Sequence, residues 1–419
     1  MRILVSAYAC EPGHGSEPGV GWNVVLHLAK RHRVWAVTRA NNRECIEAEL
    51  ARRPIRNLEL AYYDLPGWLR FWKRGQRGVR LYYYLWQLGA YRLSKELHQE
   101  VQFELTHHVT FVKYSTPSLL SLLPVPFVWG PVGGAEVAPQ AFWAEFGLRA
   151  RVYEWMRELA RWFGERDPLV RLTARRSAVA IATTEATARR LRCLGARRVH
   201  EFSEAGISEK DLAELAEGHR TEHGFALPKA NTCFISMGRL LHWKGVHLGL
   251  RAFAAAGLPS AEYWVLGSGP ERRRLEQLAV SLGIGEQVRF LGSMPRERAL
   301  GFLKRSQVLV HPSLHDSGGW VCIEAMAAGK PVLCLDLGGP GTQVVEGTGI
   351  KVAAESPEQC VRELADAMKL MASDRRLRGT LGLAGRARAV TTFRWESKME
   401  QLDRLYSDAL RRFDMGKAS

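Results

Sequence analysis

The sequence predicts an α/β protein built from two doubly wound parallel sheets. The chain has 419 residues, which is more than one ordinary hydrophobic core organises. Short apolar runs alternate with helical stretches, as in repeated βαβ units, and they do so in two successive series. Predicted strands of the first series lie at residues 3–8, 34–38, 104–107, 127–129 and 179–183, and those of the second at residues 232–237, 263–266, 288–290, 308–311 and 331–335.

A polar stretch at residues 204–229 separates the two series and is the candidate connection between domains. We therefore expect one domain over residues 1–205 and a second over residues 206–395. Residues 396–413 have apolar side chains at helical spacing, which predicts one further helix near the end of the sequence. These side chains are Met399, Leu402, Leu405, Tyr406 and Leu410.

Cysteine usage and the beginning of the sequence favour a cytoplasmic protein. The seven cysteines are odd in number and include no C-x-x-C pair, which argues against a disulfide framework or a zinc site. The apolar run at residues 3–8 is too short for a signal peptide. No stretch approaches the ~20 consecutive apolar residues of a membrane span.

The chain is strongly basic, with a formal net charge of +16. Phosphorylated substrates, an anionic membrane surface and nucleic acid are three partners that this charge would attract. An arginine-rich composition without any such partner is the alternative. Because no recognised nucleic-acid module occurs in the sequence, we expect no nucleic-acid partner.

A basic, aromatic segment at residues 62–95 interrupts the α/β pattern. It contains a single acidic residue, Asp64, among many cations and aromatic rings. Such a combination is typical of an element that binds an anionic membrane surface. An insertion whose aromatic side chains pack on their own domain is the alternative. The cations are Arg70, Lys73, Arg74, Arg77, Arg80, Arg92 and Lys95, and the aromatic residues are Trp68, Phe71, Trp72, Tyr82, Tyr83, Tyr84 and Trp86.

The sharpest motif follows the predicted strand at residues 308–311. A turn containing Gly318 and Gly319 leads into a helical run, which offers bare backbone N–H groups at the positive end of a helix. Such a helix end suits a diphosphate. Asp316 precedes the turn and Glu324 lies inside the helix, so both carboxylates can reach one crevice at the carboxyl ends of the strands. There, one acid can accept hydrogen bonds from a hexose and the other from a ribose.

This segment resembles the retaining glycosyltransferases of family 4, the glycosyl transferases group 1, which have the GT-B architecture. Their signature is two acidic residues separated by seven positions and followed by Ala-Met-Ala-x-Gly-x-Pro-Val. Here the acids are Asp316 and Glu324, and residues 325–332 read AMAAGKPV. The first acid departs from the usual glutamate, and its shorter side chain bears on which sugar is bound. The resemblance implies two Rossmann-like domains facing a cleft, retention of the anomeric configuration and no bound metal.

Three further segments match the family in order and spacing. Gly238-Arg239 and Lys244 follow the first strand of this half, and relatives use this arginine and lysine to neutralise the donor diphosphate. Gly267 lies in a tight turn after the next strand, and Phe290-Leu291 correspond to residues that cradle the nucleotide base. With the acids, the resemblance implies catalytic roles for Asp316, Glu324, Arg239 and Lys244, and donor contacts from Gly238, Gly267, Phe290, Leu291, Ser317, Gly318, Gly319 and Trp320. Core packing is the favoured alternative for Trp320.

The glycine-rich loop at residues 11–22 has two interpretations. Taken alone, it could signal dinucleotide binding. However, Gly19-Val20-Gly21 leads to Val24 where a third glycine belongs, and no acid ends the next strand. Family relatives have a glycine-rich loop here that faces the cleft. The resemblance therefore implies that Gly19 and Gly21 allow close approach of the donor phosphate or the acceptor.

Further acceptor-side residues are inferred from two strand ends. Relatives place a histidine or another polar group near the reacting sugar after the strand that ends here at His107-His108. We expect His108 first, as a catalytic residue, and His107 second, with a structural histidine as the alternative. Later in the same half, Gly133 and Gly134 permit close backbone approach. Glu136 can bind an acceptor hydroxyl or serve as a helix-start acid.

These observations predict a retaining, metal-independent hexosyltransferase of polysaccharide or glycoconjugate biosynthesis. It would use a UDP- or GDP-linked sugar as donor and a saccharide or lipid-linked acceptor, without a cofactor. We expect residues 396–419 to return to the first domain, and the enzyme to be cytoplasmic or peripheral on the inner face of the plasma membrane. The alternatives are another GT-B enzyme, such as a phosphorylase or a nucleotide-sugar epimerase, and an inactive sugar-nucleotide-binding homologue.

Overall fold

The computed structural model describes residues 1–70, 72–73, 78–216 and 232–418. The chain divides into two compact units, each of which contains one parallel sheet. The first unit comprises Met1–Ala135, Glu158–Glu204 and Trp395–Ser419, and the second comprises Glu136–Arg157 and Ala205–Arg394.

The first sheet has seven parallel strands. In chain order they are β1 (Arg2–Ala7), β2 (Arg33–Arg39), β3 (Leu58–Tyr63), β4 (Leu105–Thr110), β5 (Phe127–Val132), β6 (Ser177–Ala182) and β7 (Val199–Glu201). Their spatial order is β3-β2-β1-β4-β5-β6-β7. The order reverses between β1 and β4, and such a switch point is where open α/β sheets bind ligands.

The second sheet repeats this topology with six parallel strands. They are β8 (Thr232–Met237), β9 (Ala261–Leu266), β10 (Val288–Gly292), β11 (Val308–His311), β12 (Val332–Leu335) and β13 (Gly349–Val352). Their spatial order is β10-β9-β8-β11-β12-β13, so the switch point of this sheet lies between β8 and β11.

Helices connect the strands on both faces of each sheet. In chain order they are α1 (Ser16–Ala29), α2 (Arg43–Arg52), α3 (Gly67–Arg70), α4 (Val79–Val101), α5 (Leu148–Arg166), α6 (Pro168–Arg176), α7 (Glu185–Leu194), α8 (Glu209–Ala216), α9 (Val246–Ala256), α10 (Arg272–Ser281), α11 (Arg296–Arg305), α12 (Trp320–Ala327), α13 (Gly338–Gln343), α14 (Pro357–Ser373), α15 (Arg375–Arg388) and α16 (Trp395–Ala418).

The central strands of the second sheet are buried on both faces. Along β8, Phe234 belongs to one hydrophobic cluster while Cys233 and Ile235 belong to another, because successive side chains of a strand point to opposite faces. This two-sided burial explains the near-continuous apolar runs of the sequence. The predicted α/β class with two doubly wound parallel sheets is confirmed.

Three strands, β3, β7 and β13, were not predicted. All three lie at the edge of their sheet. Edge strands have one unpaired side and are only partly covered, so they need no continuous apolar run. In β7, for instance, His200 and Glu201 are exposed.

Several aromatic side chains of the segment at residues 62–95 lie in the interior of the first unit. Tyr82, Tyr83 and Trp86 of α4 are buried, so their interpretation as membrane-facing side chains is wrong. Trp68 is 73% exposed. Phe71, Arg74, Arg77 and the side chain of Arg80 lie outside the described residues, as does most of the candidate connection, residues 217–229.

The helix near the end of the sequence, α16, is longer than the predicted range of 396–413. Met399, Leu402 and Tyr406 are buried on one face, as their spacing predicts. All seven cysteines are free. Within the described ranges, no helix is both long and apolar enough to cross a membrane.

Candidate active site

A pocket lies in the second unit at the switch point between β8 and β11. Gly238 and Arg239 follow β8 directly, and Pro312 follows β11. Lys244 and His311 complete the part of the lining that carries the chemistry. Residues predicted from separate motifs thus meet at the place where ligands bind in sheets of this topology.

Glycines align the strand ends at this pocket. Gly238 has φ +139° and open space where a side chain would be, so its backbone is accessible. Gly267 also has φ +139°, and a Cβ there would overlap the carbonyl oxygen of Gly238. The N–H of Gly238 donates to Leu266 O at 2.9 Å, and that of Gly267 donates to Gly292 O at 2.9 Å. The positive φ favours glycine at both positions, and the close contact with Gly238 O also requires it at Gly267.

The loop after β8 packs closely on the loop after β11. Gly245 has φ +65°, and a Cβ there would overlap the carbonyl oxygen of Pro312. The N–H of Leu314 donates to Trp243 O at 2.8 Å. The packing of these two loops brings the side chain of Lys244 against Asp316.

Asp316 is the centre of a dense hydrogen-bond network. Its Oδ2 contacts Lys244 Nζ and lies 3.1 Å from His311 Nε2. Its Oδ1 accepts from the N–H groups of Gly318 and Gly319 at 3.3 and 3.2 Å. Burial raises the pKa of Asp316, but the charge of Lys244 and the hydrogen bond from His311 outweigh it and leave the pKa well below its usual range.

The network corrects one prediction. The N–H groups of Gly318 and Gly319 are not bare, because the Asp316 carboxylate already accepts from both. A short aspartate two residues before such a turn can reach back to its N–H groups. A diphosphate that uses these groups must therefore displace the carboxylate.

Glu324 belongs to a different network. Its Oε1 accepts from Arg296 Nη2 at 2.7 Å, and Arg296 Nη1 donates to Asp211 Oδ1 at 2.6 Å. Burial raises the pKa of Glu324, although Arg296 opposes the effect. Arg296 was not predicted, because the three residues are far apart along the chain and come together only through packing.

A second glycine-rich segment, at residues 336–343, supports the turn that carries Asp316. The N–H of Gly339 donates to Asp316 O at 2.7 Å. A Cβ on Gly338 would overlap the same oxygen, and Gly338 has φ +56°. Gln343, from α13, donates from Nε2 to Gly318 O. This support was not predicted, although the glycine-rich composition of the segment was a signal.

His315, beside Asp316, is fixed by a buried cluster. Its Nε2 lies 2.8 Å from Arg157 Nη1 and 3.3 Å from Glu154 Oε1, and its ring stacks on Trp243 with centroids 5.0 Å apart. Glu154 Oε1 also accepts from His242 Nε2 at 2.9 Å. Although burial raises the pKa of Glu154, its hydrogen bonds to His242 and His315 lower it overall. The cluster holds the beginning of the Asp316 turn in place.

The remaining predicted donor-side residues differ in how exposed their side chains are. Arg239 is exposed and makes no side-chain hydrogen bond or ion pair with any described residue, so it is a free cation at the pocket. Phe290 and Leu291 in β10 are half-buried. Trp320 and Ser317 are half-buried as well, and Trp320 packs against the hydrophobic core, as its favoured alternative expected.

Gly19 and Gly21 lie inside α1 rather than in an open loop. A Cβ on Gly19 would overlap His14 O, and one on Gly21 would overlap Ala9 O. The close approach that these glycines permit is therefore made by the chain's own preceding loop. Their role toward a ligand stays a prediction.

His107 and His108 lie within β4, not at its end, because the strand continues to Thr110. His107 Nε2 donates to Gly130 O at 2.6 Å, and its Nδ1 accepts from Tyr406 OH at 2.6 Å. Both ring nitrogens are thus occupied. Burial lowers the pKa of His107 to about 4, so the ring is neutral at pH 7.

One ring nitrogen of His108 makes no hydrogen bond with the described residues. Its Nε2 lies 2.7 Å from Tyr83 OH and 3.1 Å from Thr110 O, while its buried Nδ1 has no hydrogen-bond partner among the described residues. Burial lowers the pKa of His108 to about 3. Of the two histidines, His108 is the one with an unused polar atom, and its role toward an acceptor stays a prediction.

Gly133 and Gly134 follow β5, with backbone groups already in use. The N–H of Gly133 donates to Val112 O at 3.2 Å, and Gly134 O accepts from Arg161 Nε at 3.0 Å. Glu136 is buried and belongs to the second unit, where its side chain lies beside Gly338. The structure thus brings Glu136 near the support of the Asp316 turn.

Residues 220–382 match a protein-family model described as Glycosyl transferases group 1. The predicted resemblance of this part of the chain to the glycosyl transferases group 1 is therefore confirmed.

Curated relatives match over a similar length. The chain is 35% identical over 180 residues to a D-inositol 3-phosphate glycosyltransferase of Corynebacterium urealyticum, which covers 41% of each protein. It is 31% identical over 210 residues to a 2-deoxystreptamine glucosyltransferase of Streptomyces kanamyceticus, which covers 49% of this chain and 54% of the relative. The chain spans about half the length of the curated relatives it matches.

Solved structures match the fold over nearly the whole chain. A sucrose-phosphate synthase of Thermosynechococcus elongatus gives a TM-score of 0.63 at 19% identity and covers 100% of both chains. Anabaena Alr3699/HepE in complex with UDP and glucose gives a TM-score of 0.61 at 18% identity and covers 97% of this chain and 99% of that one. At these identities the likeness concerns the fold alone, and it confirms the predicted GT-B class.

Proposed function

We propose that the chain is a retaining, metal-independent glycosyltransferase of family 4. It transfers a hexose from a UDP- or GDP-linked donor to a hydroxyl of a saccharide or lipid-linked acceptor, in polysaccharide or glycoconjugate biosynthesis. The observation that carries the proposal is the network at the β8/β11 switch point, where Asp316, Lys244 and the Gly318–Gly319 turn meet.

The charges at this point suit a nucleoside diphosphate. Arg239 is unpaired among the described residues and lines the pocket together with Lys244. Two cations and a turn with two N–H groups can stabilise the negative charge that develops on a leaving diphosphate. In the proposed reaction the diphosphate replaces the Asp316 carboxylate as the partner of Lys244 and of the Gly318 and Gly319 N–H groups. Asp316 then moves to accept hydrogen bonds from the hexose.

Glu324 has the complementary role in this proposal. Its carboxylate already accepts a hydrogen bond from Arg296, so it is anchored and can accept further hydrogen bonds with its remaining lone pairs. Ribose hydroxyls of the nucleotide are suitable donors. Arg296 acts here as a positioning residue, because it fixes the carboxylate without contacting the reacting atoms.

Retention and metal independence follow from the same proposal. The departing diphosphate accepts the proton of the acceptor hydroxyl, and that hydroxyl attacks the anomeric carbon from the face that the diphosphate leaves. Arg239 and Lys244 supply the positive charge that a metal ion supplies in other transferases.

Two observations support the remaining parts of the proposal. The curated relatives are named for cyclitol acceptors that carry several hydroxyl groups, which favours a polyhydroxy acceptor. The seven free thiols favour a reducing, cytoplasmic location.

The proposal is tested by turnover with UDP-, GDP- and ADP-hexoses in the presence of EDTA. NMR of the product reports the anomeric configuration. We expect turnover with UDP- or GDP-hexose, unaffected by EDTA, and a product with the configuration of the donor. Conversion of the nucleotide sugar without an acceptor would instead identify an epimerase, and phosphate-dependent cleavage a phosphorylase.

Glu324→Gln separates the donor site from general effects of mutation. Loss of a hydrogen bond to a charged group costs about 1.5–3 kcal/mol, so we expect the KM for the donor to rise roughly tenfold or more. Glu346→Gln, at an exposed position of the same unit, is the matched control and should leave KM unchanged. Wild-type protein that binds donors without any turnover would indicate an inactive homologue.

A further inference from the structure

Helix α5 presents an unusual amount of apolar surface to solvent. Half of the large apolar side chains that are exposed in the described part of the chain, seven of fourteen, lie on this one helix. They are Leu148, Val152, Tyr153, Trp155, Met156, Trp162 and Phe163. Soluble proteins expose single apolar residues routinely, but a contiguous exposed patch marks an interaction site.

All of these side chains except Tyr153 fall on one face of the helix. Their spacing of three and four residues, with Leu159 between them, forms a continuous line along its axis, which we call the apolar stripe. The apolar stripe comprises Leu148, Val152, Trp155, Met156, Leu159, Trp162 and Phe163. The opposite face is anchored, since Glu154 and Arg161 are buried.

The charges around the apolar stripe have one sign. Every charged residue of α5 that is exposed is an arginine, namely Arg149, Arg151 and Arg166. The acids of α5 are buried or half-buried, and the half-buried Glu158 is paired with Arg161. Glu154 is enclosed by the histidine cluster, and Glu165 pairs with Arg190 at 3.2 Å.

Arginine also continues the line of the apolar stripe at its end. The guanidinium carbon of Arg166 lies 3.8 Å from the ring centroid of Trp162. A tryptophan with an arginine stacked on it combines an apolar body with a cationic tip, which suits the level of lipid headgroups. Helices with Trp, Phe and Leu on one face and arginine at its edges lie in the plane of anionic membranes.

We propose that the apolar stripe of α5 binds the surface of an anionic lipid membrane, with its side chains inserted at the headgroup–acyl boundary and the surrounding arginines on lipid phosphates. A second copy of the chain is the less favoured occupant. In a twofold dimer the same surface meets itself, so arginine would face arginine without acids to compensate. The apolar stripe takes no part in the proposed donor binding, so the two proposals can be tested independently.

The test is flotation of the full chain with two kinds of vesicle, pure phosphatidylcholine and an equimolar mixture of phosphatidylcholine and phosphatidylglycerol. The stripe variant is Trp155→Ser together with Phe163→Ser, at side chains that are 58% and 61% exposed and therefore dispensable for folding. The matched control is Val280→Ser together with Leu383→Ser, at two exposed positions outside the apolar stripe. Trp68→Ser tests the segment at residues 62–95.

We expect the wild type to float with the anionic vesicles and much less with the neutral ones. Because the stripe variant removes two large apolar side chains from the inserted surface, its partitioning should fall by on the order of 100-fold or more, and the matched control should bind like the wild type. Arg149→Gln with Arg166→Gln should weaken binding to anionic vesicles by roughly thirtyfold, since two cations near the anionic surface are lost.

Three results would overturn the proposal. One is a wild type that fails to float, and another is a stripe variant that binds as well as the matched control. The third is loss of binding in Trp68→Ser alone, which would assign the membrane surface to residues 62–95. Sedimentation of the same proteins detects the other occupant, because a dimer that dissociates in the stripe variant would show self-association. Donor turnover in the stripe variant, measured in solution, keeps a failure of this proposal distinct from a failure of the proposed activity.

Discussion

Asp316 does several tasks with one carboxylate. It compensates Lys244, receives a hydrogen bond from His311 and closes its own turn through Gly318 and Gly319. The same residue is proposed to bind the donor sugar, so donor binding exchanges one satisfied network for another. Such an exchange costs little, because every polar group has a partner both before and after it.

Asp316→Asn should damage the site far more than its small change in shape suggests. The amide oxygen can still accept from the turn, but the charge that faces Lys244 is lost. We expect kcat/KM to fall by roughly 100-fold. The free energy of unfolding should fall by about 1–3 kcal/mol, because a partly buried lysine is left without its partner.

Asp366→Asn is the control for this prediction. Asp366 also pairs with a lysine, Lys369, at 3.2 Å, but its side chain is 67% exposed. Exposed pairs contribute about 0–1 kcal/mol, so activity and urea midpoint should stay near the wild-type values. Equal effects of the two substitutions would show that the Lys244–Asp316 pair has no special role.

The buried histidines of β4 predict a pH dependence of stability. The folded pKa values of His107 and His108 are about 4 and about 3, below the value of about 6.5 in an unfolded chain. Between these values the unfolded chain binds more protons than the folded one. The free energy of unfolding therefore falls as the pH drops below about 6.5, by about 1.4 kcal/mol per pH unit for each histidine.

Urea unfolding of the wild type and of His107→Gln at pH 7 and pH 5 measures this effect. The variant removes one of the two titrating groups, so its loss of stability between these pH values should be smaller than that of the wild type. An equal loss in both proteins would mean that His107 does not remain neutral in the folded chain.

At the scale of the element, the glycine-rich segment at residues 336–343 supports the Asp316 turn through close backbone contacts. Gly338 and Gly347 both have positive φ, +56° and +81°. A Cβ on Gly338 would overlap the backbone of Asp316, whereas a Cβ on Gly347 would meet nothing within 4 Å. The two glycines therefore share the backbone strain and differ only in the crowding.

Gly338→Ala and Gly347→Ala separate these two effects. Each should lose about 1 kcal/mol of stability from placing alanine in the left-handed region. Only Gly338→Ala should also weaken donor binding, because it displaces the Asp316 turn. Calorimetric titration with the donor measures the difference, and unchanged affinity in Gly338→Ala would exclude a supporting role for this segment.

The elements differ in how far the sequence could predict them. Central strands such as β8 and β11 are buried on both faces, so their apolar runs predicted them well. Three edge strands, β3, β7 and β13, are only partly covered and were not predicted. The acidic pair was recognised because both residues stand in one short stretch with fixed spacing. Arg296 and Glu154 could not be recognised, since their partners are distant in sequence and only packing brings them together.

At the scale of the whole molecule, two sheets with the same topology have different kinds of side chain at their switch points. In the second unit, the β8/β11 switch point carries cations, a carboxylate and accessible backbone. In the first unit, the β1/β4 switch point has buried rings and the neutral histidines. The charged one is suited to a diphosphate, and it lies within the residues that match the family model.

The central claim is that the second unit binds a nucleotide-sugar through Lys244, and thermal unfolding with and without donor tests it most directly. Wild type, Lys244→Met and the matched control Lys369→Met, at an exposed lysine that pairs with Asp366, are heated with UDP-, GDP- and ADP-hexoses in EDTA. At 100 times its Kd, a donor stabilises the folded state by about 2.7 kcal/mol. We predict that one nucleotide class stabilises the wild type and Lys369→Met but not Lys244→Met. Equal stabilisation of all three proteins would contradict the claim, as would the absence of any effect in the wild type.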